Sequence, residues 1–125
     1  MKQTQSLLQS FANAFVGIST FFTADRNGKI HIAITLVVLA AGFAFKITAI
    51  EWMIILLCIA IVIALEMMNN ALEKLCDKVE PDHNQVIKII KDVSAAAVLW
   101  TTIISIVIGL IIFIPKAIDL IIMAQ

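Results

Sequence analysis

The chain has 125 residues, nine basic against nine acidic, and 62% of them are hydrophobic, well above the roughly 45–50% of soluble domains. One soluble domain of this length could not hide so much apolar surface, whereas a chain facing lipid has no need to. Sparse, balanced charge leaves no basic footprint for nucleic acid, so the composition points to an all-α integral membrane protein forming a single domain over residues 1–125.

At the start, Leu7, Leu8, Phe11, Phe15, Ile18 and Phe22 recur at three- and four-residue intervals, with Gln9, Ser10 and Asn13 opposite. That spacing predicts an amphipathic helix over about 3–24, lying in the membrane interface or packed on the other helices. Residues 2–13 are mostly polar and do not read as a signal peptide. Asn27-Gly28 supplies a turn into the membrane.

Three spans follow. The first covers about 31–50, from His31, and is interrupted late by Lys46; the second covers about 52–78; the third covers about 85–114 and stops at Pro115. Residues 115–125 read as an external tail. Lys2, Arg26, Lys29, Lys74, Lys78, Lys88 and Lys91 share one side, with Lys46 and Lys116 on the other. The excess of positive charge places the N-terminus and the 74–92 connection in the cytoplasm. Cys58 and Cys76 have no zinc or redox spacing and read as packing thiols. Trp52 reads as an interface anchor and Trp100 as a packing residue.

The second span carries the chemistry. Apolar sequence from Trp52 to Leu65 covers only about 21 Å of helix, then stops at Glu66. Glu66, Glu73 and Asp77 fall in one stripe at 100° per residue, with Asn69 and Asn70 on its flanks. Ionisable groups at membrane depth are costly, and a cluster of them marks a site. Asp25, before the first span, and Lys91-Asp92, at the foot of the third, should converge on the same face. Carboxylates from separate elements suit a magnesium ion bound to nucleotide phosphates. A lysine beside them would neutralise charge on a phosphoryl group in transfer, and a carboxylate at lipid depth could take a proton from a lipid hydroxyl. Lys74, Lys78 and Lys88 read more simply as solvated anchors, and Asn69 and Asn70 serve equally well as bonds between helices. There is no Gly-x-x-x-x-Gly-Lys phosphate loop. A proton or ion relay through Glu66 is the rival of another class, but the third span has no ionisable group from Val93 to Ile114. A structural subunit, with the stripe as an assembly surface, is a further alternative.

The run Glu66-Met67-Met68-Asn69-Asn70-Ala71-Leu72-Glu73-Lys74-Leu75-Cys76-Asp77 resembles the signature of the small prokaryotic diacylglycerol kinase family. Lys91-Asp92, followed by Ser94-Ala95-Ala96-Ala97, resembles the opening of that family's last helix. Asp25-Arg26-Asn27-Gly28-Lys29-Ile30-His31 is similar to its entry into the membrane, and Phe11, Ala14 and Gly17 fit its first helix. The resemblance implies a homotrimer in the bacterial inner membrane, with sites shared between subunits, transferring the γ-phosphoryl group of ATP with Mg2+ to a lipid alcohol. By resemblance Glu66 is the catalytic base, and Asp25 and Glu73 hold the metal. Asp25, Glu73, Asp77, Asp82, His83, Asn84, Lys91 and Asp92 meet nucleotide, and Asn69, Asn27, Lys29 and His31 support the site. The acceptor implied first is diacylglycerol, giving phosphatidic acid; the alternative is undecaprenol. Three departures stand out: Asp25 where the family more often has glutamate, Asn70 where it has serine or threonine, and Ser6, Gln9 and Asn13 where some relatives carry basic or aromatic residues.

Overall fold

The computed structural model describes residues 6–82 and 84–124, and it is all-helical: α1 (Leu7–Ala24), α2 (Arg26–Ala44), α3 (Ala49–Val79) and α4 (Gln85–Met123). Among the described residues all four helices, α1 included, are long and apolar enough to cross a membrane, one more than the sequence assigned to spans. α1 starts on Ser6, whose hydroxyl accepts from the Gln9 N–H. Thr20 and Thr23 donate their hydroxyls back to the carbonyls of Val16 and Ser19 at 2.8 and 2.7 Å. That keeps both polar groups satisfied within the helix, as a low-water environment demands. Leu7, Leu8, Phe11 and Phe15 are exposed along α1, and only Phe21 is buried.

The turn expected at Asn27-Gly28 falls two residues earlier. Asp25 alone is extended (φ −87°, ψ 136°), closing α1 and opening α2, and Asn27 and Gly28 lie in the first turn of α2. Gly28 answers to packing instead: a Cβ there would stand 2.0 Å from the Phe21 carbonyl oxygen. The two helices touch backbone to backbone at this corner, and only a residue without a side chain fits.

α2 ends at Ala44, short of the expected boundary near residue 50. Lys46 adopts φ 49°, its N–H bonds to Phe43 O, and the Ile47 N–H bonds to Gly42 O. This is a Schellman termination with lysine where glycine is usual. Thr48 and Glu51 then form a reciprocal capping box that starts α3. Together these end one helix and start the next within four residues.

Pro115 does not end the last helix, which runs on to Met123 in place of the expected tail. Proline removes one N–H donor and crowds the preceding turn, but helices in lipid absorb this through local adjustment. Lys116, directly after it, bonds Glu51 at 3.1 Å and ties the far end of α4 to the start of α3.

α3 packs chiefly along α4. Their shared core lies near the α2–α3 turn, where Ile47, Ile55 and Ile112 are buried among Phe45, Trp52 and Phe113. Trp52, read as an interface anchor, stacks over Gly42, whose missing Cβ would meet the indole at 2.6 Å. Trp100, read as a packing residue, is 71% exposed.

Candidate functional site

Three consecutive groups of contacts run along the polar half of α3. The deepest centres on Glu66, only 5% exposed although ionisable. The Asn27 side-chain amide, from the first turn of α2, donates to Glu66 Oε1 at 2.6 Å. His31, one turn further along α2, places Nε2 4.0 Å from Glu66 Oε2. That separation is too long for a hydrogen bond, so Oε2 keeps an acceptor position facing His31.

One turn on, Asn69 is 6% exposed and donates to Glu73 Oε1 at 3.4 Å. Its own Oδ1 is buried without a partner. Reversing the amide would set oxygen against the Glu73 carboxylate, so the unmet atom is an acceptor. Beside it, Asn70 donates to Asp25 Oδ1 at 2.9 Å, and Lys74 reaches Asp25 Oδ2 at 3.0 Å. The Asn70 amide and then the Lys74 ammonium hold the Asp25 carboxyl below the usual carboxylate range. The two departures from the family signature therefore meet one another: the shorter Asp25 is reached by the longer Asn70.

The third group lies at the C-terminal end of α3, where it meets the start of α4. Lys91 donates to Asp77 at 2.8 Å across α3 and α4, and Lys88 pairs with Asp92 along α4. With Glu80, Pro81, Asp82, Asn84 and Ile87 these line an open cavity of ≈ 460 Å³. Asn84 caps α4, its side-chain oxygen accepting from the Val86 and Ile87 N–H groups at 2.9 and 3.3 Å, which leaves its amide nitrogen for a ligand. Lys29 is exposed at the start of α2, and His83 lies outside the described residues. From Glu66 to Asp77 the helix advances about 16 Å.

The structure thus brings Glu66 together with Asn27 and His31, and Asp77, Asp82, Asn84, Lys91 and Asp92 around one cavity. It does not join Asp25 to Glu73: the first takes Asn70 and Lys74, the second Asn69. Among the described residues no group of three or more His, Cys, Asp or Glu side chains could hold a metal. Magnesium requires only one or two carboxylates, with phosphate oxygens and water completing its shell. Glu73 fits that role through its second oxygen, and Asp25 fits once Lys74 gives way. Sequence reasoning assigned Lys74 to solvent; its partner is 49 residues away, and no local pattern carries such a pairing.

Fold and site together define a class, a small helical membrane enzyme with its polar groups gathered where the apolar run ends. The family described as prokaryotic diacylglycerol kinase matches residues 12–113. A Bacillus subtilis protein named undecaprenol kinase is 40% identical over 108 residues, 86% of this chain and 88% of that protein. A Synechocystis sp. protein named diacylglycerol kinase is 33% identical over 116 residues, 92% of this chain and 66% of that protein. No solved structure matches. The chain belongs to the prokaryotic diacylglycerol kinase family, and it is a lipid kinase.

Proposed function

We propose that the protein transfers the γ-phosphoryl group of ATP to the hydroxyl of a long-chain lipid alcohol at the cytoplasmic face of a bacterial inner membrane. The acceptor is diacylglycerol, as the sequence reading put first, or undecaprenol, which the 40% identity to the Bacillus subtilis protein supports equally well. The observation that carries the reading is Glu66: a buried carboxylate at the end of a membrane-length apolar run, with one oxygen bonded by Asn27 and the other free.

In this reading Glu66 Oε2 accepts the proton of the lipid hydroxyl as the hydroxyl oxygen attacks the γ-phosphorus, and the bond from that phosphorus to the β,γ-bridging oxygen breaks to release ADP. Asn27 fixes the carboxylate rotamer, and His31 borders the space the hydroxyl enters. Glu73 and Asp25 would hold Mg2+, whose charge would offset that of the nucleotide phosphates. Asp77, Asp82, Asn84, Lys91 and Asp92 receive the nucleotide, with Lys91 leaving Asp77 to meet phosphate. α1 is an amphipathic helix at the interface, and three copies assemble with sites completed across subunits, which would cover the exposed apolar faces of the single chain.

The test is phosphate transfer from magnesium-ATP to each lipid alcohol in mixed micelles. Glu66→Gln should lower kcat by about 10²- to 10⁴-fold, the range for removing a general base, while magnesium-ATP still protects the variant against thermal unfolding. Wild-type turnover in Glu66→Gln would remove the carboxylate from this role.

A further inference from the structure

The Asp25 carboxylate is turned away from the helix it begins. Asp25 is the N-cap of α2, and aspartate in that place ordinarily accepts hydrogen bonds from the first N–H groups of its helix. Its backbone does cap, the Lys29 N–H bonding to Asp25 O at 3.2 Å, yet its side chain makes no cap bond. Both carboxylate oxygens go to α3 instead, Oδ1 to the Asn70 amide at 2.9 Å and Oδ2 to the Lys74 ammonium at 3.0 Å. Asn70 and Lys74, four residues apart, share a face of α3. They differ in how firmly they are held. Asn70 is half-buried, whereas the Lys74 side chain is 64% exposed. An ion pair with so exposed a partner contributes little to stability, and a flexible four-carbon stem lets the ammonium change partners.

Lys74 also stands where phosphoryl transfer needs a cation. Along α3 it follows Glu66 by about 12 Å and precedes Asp77 by about 4.5 Å. In the kinase reading the acceptor hydroxyl meets Glu66 and the nucleotide enters beside Asp77, so the γ-phosphate falls between them. Lys74 is the one basic residue in the sequence from Glu66 to Asp77. Lys91 belongs to the nucleotide cavity beyond, where it bonds Asp77, and Lys88 is paired with Asp92. Charge on the γ-phosphoryl oxygens in transfer is stabilised by cations aimed at them. A divalent cation and an ammonium on the same carboxylate repel each other, so the arrival of one drives off the other. We propose that Lys74 and a divalent cation compete for the Asp25 carboxylate, and that the ammonium, once displaced, binds the γ-phosphate of the incoming nucleotide. The inference rests on the lipid-kinase reading above and adds to it a phosphate-contacting residue.

The test uses the full chain in detergent micelles, with Mn2+ as the probe and the EPR signal of free Mn2+ as the readout. Lys74→Met keeps the bulk of the stem and removes the charge. Without nucleotide it should bind Mn2+ about tenfold more tightly than the wild type, the gain from removing a competitor that occupies the carboxylate about nine times in ten. That gain should vanish in the double variant Lys74→Met/Asp25→Asn. For magnesium-ATP the sign reverses: loss of a charge-assisted bond to phosphate should raise its KM in lipid phosphorylation about tenfold. Lys74→Arg, still cationic, should stay close to the wild type in both measurements. Opposite shifts mark an exchange of partners, because a solvated anchor would move neither value and a purely structural pair would weaken both. Either of those results overturns the proposal, as does tighter Mn2+ binding with ATP kinetics unaltered. The manganese titration needs no lipid, so its failure beside normal wild-type lipid phosphorylation removes the exchange and leaves the kinase reading standing. A wild type that phosphorylates neither lipid would overturn that reading and the phosphate contact with it.

Discussion

At the scale of single residues, Glu66 owes its position to the fourteen apolar residues before it and its orientation to two side chains of α2. Asn27 holds one carboxylate oxygen at 2.6 Å, and His31 stands clear of the other at 4.0 Å, so the buried acid is directed yet half available. Asp25 shows the opposite economy, both oxygens engaged, by Asn70 and Lys74. Because these partners depress the Asp25 pKa in the folded protein, its contribution to stability is fully present above the ordinary carboxylate value. It is lost as pH falls through the lower folded value. The thermal midpoint of the wild type should therefore exceed that of Asp25→Asn by a constant margin from neutral pH down to about pH 5, and the margin should close below about pH 4. Thermal unfolding in detergent across that range is the measurement, and a margin that widens in acid would contradict the assignment.

At the scale of helices, the boundaries follow local chemistry that propensity alone does not weigh. α2 stops where Lys46 takes a left-handed conformation and Thr48 with Glu51 caps the next helix; Thr-x-x-Glu was readable as a capping box, and the apolar run around it hid the signal. α4 passes through Pro115, and the Lys116–Glu51 pair ties the turn beside the proline to the start of α3. The corner between α1 and α2 depends on Gly28 lying against the Phe21 carbonyl, whereas Gly17 faces open space. Gly28→Ala should thus destabilise the protein by about 1–3 kcal/mol through overpacking against backbone, and Gly17→Ala should be neutral or stabilising by up to about 1 kcal/mol. Thermal unfolding of the two variants side by side tests this. Since the corner also carries Asn27, Gly28→Ala should lower turnover as well.

At the scale of the whole molecule, the single chain buries little. Among the described residues six hydrophobic side chains are buried, while Phe11 and Phe15 of α1, Phe43 of α2 and Trp100 of α4 stay exposed. Lipid accepts such faces, and so does another copy of the chain. The proposed sharing of sites within a homotrimer makes a direct prediction for mixtures of Glu66→Gln with Lys91→Ala, each expected to be inactive alone. Co-assembled in equal amounts, the two should regain activity toward about a quarter of the wild-type value, the fraction of sites that random pairing leaves intact. A mixture as inactive as its parents would place each site within one chain.

The sequence by itself determined the membrane class, the helical architecture and the stripe of polar residues on α3, because hydropathy and helical periodicity are local properties that 3.6 residues per turn convert directly into faces. The family signature added the reaction type. Only the tertiary structure decided which groups meet: that Asn27 braces Glu66, that Asn70 and Lys74 rather than Glu73 take up Asp25, and that α2, α3 and α4 enclose a cavity lined by His31. Those pairings join residues 39 to 49 positions apart. They depend on helix crossing and on a glycine's close approach, which no pattern along the chain encodes.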